Sequence, residues 1–183
     1  MKVIFLDIDG VLNGYNQLTG VVYFICKKLH LQKWLSKHYD IFGVHENKVR
    51  RLAKIVKKTG AKIVISSLWR RGWLVPYEEK TDDHKLLHDL FLKYNIEVID
   101  ITGKVASDIS TSHREYEIRE WLEKHGQNVE RFVVLDDEIF DLKGFVGKEL
   151  IQTSESDYIK GHWHENTGLK RKHVKQAIKL LNA

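Results

Sequence analysis

The sequence predicts an α/β fold of three layers, in which helices cover both faces of a central parallel sheet. Short apolar runs of strand length alternate along the chain with longer segments whose apolar residues recur at helical spacing. Strands that alternate with helices need crossover connections, and such connections give a parallel sheet. Because ligands bind at the carboxyl ends of parallel strands, the residues that follow each strand are the first candidates for a functional site.

The first half of the chain supplies two strands and two helices. Lys2–Leu6 is a short apolar run that predicts a buried strand. A helix is predicted over Glu46–Thr59, and it ends at Gly60, a residue type that commonly caps helices. Ala61–Ile65 is the second strand. Asp83–Tyr94 shows helical spacing and predicts the next helix.

The second half continues the same alternation. Ile96–Ile101 is the third predicted strand, and Ser112–His125 is a predicted helix. Arg131–Leu135 is the fourth strand, and Glu149–Gln152 is a candidate fifth. Arg171–Leu181 closes the chain as a helix. Strand, helix and strand therefore follow one another to the end, as a parallel sheet requires.

Two stretches interrupt the alternation without dividing the chain, which we expect to form one domain over residues 1–183. Gly14–Val44 carries aromatic residues among lysines and is too long for a simple turn, so we predict a small helical cap insertion. Arg71–Thr81 is predicted to be a loop. His162 and His164 have no third ligand at a clear spacing, and we interpret them as part of a surface loop.

The balance of charge is basic, with 30 Lys and Arg against 25 Asp and Glu and a formal net charge of +5. The cations are concentrated in residues 27–62 and 170–179. Basic surfaces attract polyanions by releasing their counterions, which favours a nucleic-acid partner. The same residues equally suit the solvated faces of helices.

The composition also excludes several classes of protein. The apolar runs are of strand length, and none approaches the roughly 18 residues that span a bilayer, so we expect no membrane segment. Met1 and Lys2 lead directly into the first strand, so we expect no secretory signal. The single cysteine, Cys26, cannot form an internal disulfide. We therefore expect a cytoplasmic protein.

Asp7 and Asp9 lie two residues apart directly after the first strand. Phosphoryl transfer to a protein needs an anionic nucleophile beside a metal that cancels its repulsion from phosphate. Mg²⁺ is a hard ion that favours carboxylate, carbonyl and water oxygens. The second carboxylate can protonate the leaving oxygen and then take a proton from the attacking water. Gly10 allows the backbone to turn sharply past a phosphate.

Asp7-x-Asp9-Gly10-Val11 resembles the first motif of the haloacid dehalogenase (HAD) superfamily, and the remaining motifs occur in the expected order. The resemblance implies a Rossmann-like three-layer sandwich in which Asp7 is the nucleophile and Asp9 the acid and base. Ser66 or its neighbour Ser67 matches the phosphate-binding residue of the second motif. The sequence leaves the choice between the two serines open.

Later segments match the third and fourth motifs of the superfamily. Arg114 stands where a cationic residue binds phosphate, and Lys104 is a competing candidate. Asp136-Asp137-x-x-x-Asp141 matches the acidic fourth motif. The resemblance implies that Mg²⁺ is held by Asp7, the backbone carbonyl of Asp9 and Asp137. Asp136 and Asp141 would support the metal indirectly, through water or through hydrogen bonds to its direct ligands.

Three segments resemble a branch of the superfamily found in RNA-repair proteins and in stand-alone phage and bacterial proteins. They are residues 59–70, 114–122 and 167–169. Trp69 and Arg70 lie just beyond the candidate phosphate-binding serines. They are candidates for substrate contact, and the alternative is a packed tryptophan beside a surface arginine.

These inferences predict a Mg²⁺-dependent phosphomonoester hydrolase that works through an aspartyl-phosphate. The acidic residue at Asp9 favours phosphate esters, since related dehalogenases and phosphonate-cleaving enzymes lack one there. The basic charge and the aromatic residues of the insertion favour a nucleic-acid terminal phosphate or a nucleotide as substrate. A small-metabolite phosphate is the first alternative. A non-catalytic nucleic-acid-binding module is the second.

Overall fold

The computed structural model describes residues 1–13, 25, 28–30, 43–103, 114–159, 162–166 and 168–183, with the backbone alone for 155–159 and 162–166. Most of the predicted cap over residues 14–44 lies outside these ranges, as does Lys104. The strands are β1 (Lys2–Leu6), β2 (Lys62–Ile65), β3 (Val98–Ile101), β4 (Arg131–Asp136), β5 (Leu150–Gln152), β6 (Glu155–Ile159) and β7 (His162–Asn166). The helices are α1 (Glu46–Thr59), α2 (Arg70–Trp73), α3 (Asp82–Lys93), α4 (Arg114–His125) and α5 (Arg171–Asn182).

A five-stranded parallel sheet in the order β3-β2-β1-β4-β5 forms the centre of the molecule. Strand β1 lies in the middle, with Ile4 opposite Ile63 on one side and Val133 on the other. All four residues from Val3 to Leu6 are fully buried. A strand covered on both faces reads as a continuous apolar run, which explains why β1 and β4 show no alternation in the sequence. The predicted α/β fold with a parallel sheet is confirmed.

Side chains that alternate along β1 enter two separate cores. Ile4 and Leu6 pack with Leu52 of α1 and with residues of α3 and α5 on one face. Val3 and Phe5 pack on the other face against α4, where the ring of Phe5 meets Trp121 edge-on at a centroid distance of 5.3 Å. Because successive strand residues point to opposite faces, one strand serves both cores and the fold has three layers.

The carboxyl ends of the strands are held in line by hydrogen bonds that continue one residue past the strands. The amide of Asp7 donates to Leu135, and the amide of Ser66 donates to Leu6, at 2.9 and 3.0 Å. Thr102 donates in the same way to Ile65 at 3.0 Å. The residues after β1, β2 and β3 are therefore fixed side by side at one edge of the sheet.

Two short elements differ from the prediction. His162 and His164 belong to β7, which pairs antiparallel with β6, whereas we interpreted this region as a surface loop. The sequence of this hairpin is largely polar and lacks the apolar alternation that identifies strands. The predicted loop over Arg71–Thr81 is partly the helix α2, whose end is capped by Lys80. The Lys80 ammonium donates to three backbone carbonyls at 2.6–2.8 Å. Local helix propensity does not reveal this stabilising contact.

Within the described ranges, none of the helices combines the length and the apolar character that a membrane crossing requires.

Candidate active site

Three carboxylates converge at the carboxyl edge of the sheet. Asp7 follows β1, Asp136 ends β4, and Asp137 comes next, and one oxygen of each lies within 4.8 Å of the others. Asp7 is 4% exposed, Asp136 is fully buried and Asp137 is half-buried. We call these three residues the acidic cluster. Its members come from adjacent parallel strands, which explains how residues 130 positions apart in the sequence meet.

Arg114, the first residue of α4, is the cation that faces the acidic cluster. Its Nη1 atom donates to Asp7 Oδ2 at 2.9 Å and also to Asp136 Oδ2. Burial lowers the pKa of this guanidinium, but the charges of Asp7 and Asp136 more than reverse the effect and raise the pKa above its usual value. Arg114 is therefore a fixed positive charge between two of the three carboxylates.

Among the described residues, Arg114 is the cation that pairs with the acidic cluster, and one guanidinium does not neutralise three carboxylates. Burial, and next the charge of Asp7, raises the pKa of Asp136 to about 7 and that of Asp137 to about 6. Both values exceed the ordinary 3.8, first because burial disfavours the charged carboxylate and second because Asp7 already places a negative charge beside it. Carboxylate oxygens at this spacing are the donors that a hard divalent cation prefers. The residues present fit Mg²⁺.

The backbone around the acidic cluster fixes the orientation of its side chains. Asp7 Oδ1 accepts a hydrogen bond from the amide of Ile8 at 2.8 Å, and Asp136 Oδ1 accepts one from Glu138 at 2.9 Å. Gly10 has a φ of 64°, and a Cβ atom there would collide with the carboxyl group of Asp137. Gly10 therefore permits both the sharp turn after β1 and the approach of Asp137 to the site.

Asp9 is exposed and lies outside the acidic cluster. Its Oδ1 atom accepts a hydrogen bond from Asn13 Nδ2 at 2.8 Å, and its Oδ2 atom accepts one from Trp69 Nε1 at 3.0 Å. Asn13 Oδ1 in turn accepts from the amide of Gly10 at 2.8 Å. Two neutral donors thus hold Asp9 at the mouth of the site. Sequence reasoning missed Asn13, although a short polar side chain in a turn after a strand is the available signal.

Ser66 and Ser67 follow β2 beside Asp7, and both are buried. The hydroxyl of Ser66 has no hydrogen-bond partner among the described residues, whereas Ser67 Oγ accepts a long bond of 3.4 Å from the amide of Trp69. A buried hydroxyl without a partner is costly, so its persistence indicates a ligand that completes it. This observation favours Ser66 over Ser67 as the phosphate-binding residue.

The family model "HAD domain in Swiss Army Knife RNA repair proteins" matches residues 3–161. The chain belongs to this family. The match confirms both the superfamily and the RNA-repair branch inferred from the motifs, and it supports a function in phosphatase-type chemistry or RNA repair. Comparison with curated proteins and with solved structures gave no match.

In this HAD domain, Arg70 has partners other than the substrate contact that we predicted. Its guanidinium forms two parallel hydrogen bonds with the carboxylate of Glu117, at 2.8 and 2.9 Å. The two side chains are only 9% and 11% exposed, and Thr102 Oγ1 bonds to the Glu117 carboxylate at 3.2 Å. Since the guanidinium faces the interior and is bound there, we assign Arg70 to holding α2 against α4.

The structure also gives contacts for Trp69 and for Asp141. Trp69 bonds to Asp9, which makes it a neighbour of the candidate acid and base. Asp141 does not join the acidic cluster, and its backbone carbonyl accepts a hydrogen bond from the amide of Glu115 at 3.1 Å. That bond supports the first turn of α4, from which Arg114 projects. Lys104, the alternative to Arg114, lies outside the described residues.

Proposed function

We propose that this HAD domain is a Mg²⁺-dependent phosphomonoester hydrolase that works through an aspartyl-phosphate at Asp7. The observation that carries the proposal is the convergence of Asp7, Asp136 and Asp137 around a place for a divalent cation, with Arg114 on one side. When bound, Mg²⁺ would be held by these carboxylates and the Asp9 carbonyl, and would offset the repulsion between carboxylate and phosphate.

In the first half of the proposed reaction, a carboxylate oxygen of Asp7 bonds to phosphorus as the bond from phosphorus to the ester oxygen breaks. Asp9 gives its proton to the departing oxygen. Arg114 and the Ser66 hydroxyl hold the phosphoryl oxygens in line. In the second half, Asp9 takes a proton from water, the water oxygen bonds to phosphorus, and the bond to Asp7 breaks. Phosphate leaves and both aspartates return to their starting states.

For the substrate, we propose a nucleic-acid terminal phosphate or a nucleotide. The family description and the net charge of +5 support this choice. The test is phosphate release, with Mg²⁺ and with EDTA, from a 3′-phosphorylated oligonucleotide, a 5′-phosphorylated one and a panel of sugar phosphates. We expect Mg²⁺-dependent release that is fastest from an oligonucleotide. Equal and feeble rates on all three would contradict the nucleic-acid preference.

A small-metabolite phosphatase and a non-catalytic binding module are the competing functions. Faster release from a sugar phosphate than from either oligonucleotide would favour the first. Binding of oligonucleotides without any Mg²⁺-dependent hydrolysis of p-nitrophenyl phosphate would favour the second. Intact Asp7 and Asp9 support catalysis, because a binding module has no chemical need for both.

We also propose that residues 14–44 form a cap over this site within a single domain. Replacing residues 15–41 by a short Gly-Ser linker tests the proposal. If these residues form a cap, the deletion variant should keep most of its rate on p-nitrophenyl phosphate but lose much of its selectivity among the larger substrates. Equal losses on all substrates would contradict it.

A further inference from the structure

A groove of about 380 Å³ lies between α1 and α5, outside the acidic cluster. Of the eight described residues that line it, five are arginine or lysine and none is acidic. The cations are Arg50, Arg51, Lys54, Arg171 and Lys175. We call this feature the basic groove. Val174 and Ile178 of α5 form its apolar part.

Among the described residues, most cations of the basic groove form no salt bridge with a carboxylate. In the part of the chain that the structure describes, no salt bridge joins Arg50, Lys54, Arg171 or Lys175 to a carboxylate. Glu46 lies one helical turn before Arg50, but its carboxylate is held by Lys93 and Tyr94 at 2.8 and 2.6 Å. Like charges that crowd together without partners repel one another and favour an external anion.

Helix α4 shows what an ordinary solvated face looks like in the same molecule. Arg119 pairs with Glu115 at 2.8 Å and Lys124 pairs with Glu120 at 2.6 Å, each at a spacing of four residues. Such pairs stabilise an exposed helix. The basic groove has exposed cations at the same helical spacing without these acidic partners. The composition of the basic groove is therefore suited to binding an anionic ligand, whereas the paired charges of α4 are typical of a solvated helix face.

The basic groove begins beside the loop that carries Asp9. The amide of His45, just before α1, donates to Leu12 at 2.9 Å, and the amide of Leu169, just before α5, donates to Val11 at 2.8 Å. Arg51 Nη1 then donates to the Leu169 carbonyl at 2.7 Å. Both helices thus start against the loop that follows β1, and the basic groove extends away from the candidate active site along their axes.

The arrangement of the cations suits a chain of phosphates. Arg50 and Lys54 are four residues apart on α1, as are Arg171 and Lys175 on α5, which corresponds to about 6 Å along each axis. Two rows of cations are better suited to a ligand with several successive anions than to a single isolated anion. None of the described residues that line the basic groove is aromatic, so the contacts that they offer are with the sugar-phosphate backbone rather than with stacked bases.

We propose that the basic groove binds the backbone of a single-stranded polynucleotide whose terminal phosphate is bound at Asp7. This inference rests on the proposed function, which places the phosphorylated end of the polynucleotide at Asp7. The basic groove would bind the polynucleotide independently of its base sequence. A mononucleotide is too short to gain from both sites. The advantage of the enzyme for its substrate should therefore grow with oligonucleotide length.

The test compares two triple variants that remove the same charge from the same two helices. Arg50→Gln/Lys54→Gln/Lys175→Gln changes the basic groove. Lys57→Gln/Lys58→Gln/Lys179→Gln changes exposed lysines that do not line it and is the matched control. Binding of an unphosphorylated, fluorescein-labelled single-stranded RNA is measured by fluorescence anisotropy from low to high salt, beside the melting temperature of each variant.

We expect the groove variant to bind the RNA at least tenfold more weakly than the control. The slope of log K against log salt should flatten by about 2, since each phosphate contact on a single strand contributes about 0.7. The ratio of kcat/KM on a phosphorylated oligonucleotide to that on p-nitrophenyl phosphate should fall about tenfold. Equal affinities and equal slopes for the two variants contradict the proposal. So does groove-dependent binding to phosphatidylserine vesicles without RNA binding.

The RNA-binding measurement uses no reaction, so it separates the two proposals. If the wild-type protein hydrolyses no phosphomonoester but the groove variant alone loses RNA binding, the proposed function fails and the basic groove stands. If hydrolysis is present and both variants bind RNA as the wild type does, the basic groove fails and the proposed function stands.

Discussion

The molecule contains two buried groups of arginine and carboxylate near the same edge of the sheet, and they differ in their balance of charge. In the first, which we call the matched pair, Arg70 meets Glu117 one to one through two parallel hydrogen bonds. In the second, Arg114 faces the three carboxylates of the acidic cluster. A buried pair of equal and opposite charges is complete by itself, whereas a surplus of negative charge is costly unless a further cation joins it.

This contrast separates the group that stabilises the fold from the group that is suited to bind a ligand. The matched pair satisfies its own charges and connects two helices. The acidic cluster leaves Asp136 and Asp137 with raised pKa values and the Ser66 hydroxyl without a partner among the described residues. Folding alone gives no reason to collect such groups. A metal ion and a phosphate would complete them.

The largest effect that we expect comes from removing one charge of the acidic cluster. Asp137→Asn should lower Mg²⁺-dependent phosphate release by about 10³-fold, the scale of losing a fixed electrostatic contact to a transition state. The folded state should survive, because repulsion in the cluster is relieved. Steady-state phosphate release is the measurement. Glu123→Gln, an exposed residue on α4, is the control and should keep its rate.

Breaking the matched pair should affect stability instead. Arg70→Met leaves the buried Glu117 carboxylate without its cationic partner and should lower the free energy of unfolding by about 3–5 kcal/mol. The double variant Arg70→Met/Glu117→Leu removes both charges and should recover most of that loss. Urea titration measures both. A cost of less than about 1 kcal/mol for Arg70→Met would show that the pair does not hold α2 to α4.

Adding Mg²⁺ should distinguish the two groups directly. A ligand at 100 times its dissociation constant raises the free energy of unfolding by about 2.7 kcal/mol. We expect a gain of this order for the wild type and for Arg70→Met/Glu117→Leu, and little or none for Asp137→Asn. Thermal melting with Mg²⁺ and with EDTA provides the comparison. The same gain in all three proteins would place the ion outside the acidic cluster.

The smallest effect that we expect is a pH dependence of the metal-free protein. The folded-state pKa values of Asp136 and Asp137, about 7 and about 6, lie above the unfolded value of 3.8. The folded state therefore binds more protons between these limits, and this contribution to stability is lost as the pH rises from about 4 to about 7. His173, whose pKa is lowered to about 4 mainly by burial, contributes with the opposite sign.

The difference between wild type and Asp137→Asn isolates the contribution of Asp137, because Asp136 and His173 are common to both. In EDTA, the wild type should lose stability relative to the variant as the pH rises towards 7. Urea midpoints at several pH values measure this difference. A constant difference across the range would mean that Asp137 ionises freely in the folded protein.

The sheet and the central aspartates were predictable because they depend on local patterns. A strand buried on both faces gives an apolar run such as Ile63–Ile65, and parallel strands bring their carboxyl ends together by geometry. That rule predicts Asp7, Asp136 and Asp137 at the same edge of the sheet, and the pairing of β1 with β4 makes them neighbours. The basic charge of residues 27–62 and 170–179 was also visible. The packing of α1 against α5, which forms the basic groove, was not predictable, since it depends on tertiary contacts between the two helices.

The contacts that sequence reasoning missed are specific and distant in the chain. Arg70 and Glu117 are 47 positions apart, and nothing in either segment reveals the partner. The bond from Trp69 to Asp9 joins residues 60 positions apart. The β6–β7 hairpin lacks an apolar pattern, so its strands are defined by their pairing and not by their composition. Each of these features is a property of tertiary structure rather than of local sequence.

The proposed function depends on Asp7 bonding to phosphorus, and trapping the covalent intermediate tests this most directly. The protein is mixed with Mg²⁺ and a phosphomonoester carrying ³²P in its phosphate, quenched in acid within the first turnover and digested for peptide mapping. We predict that the label lies on the peptide containing Asp7 and is absent from Asp7→Asn. Label on another residue, or full turnover by Asp7→Asn, would contradict the account.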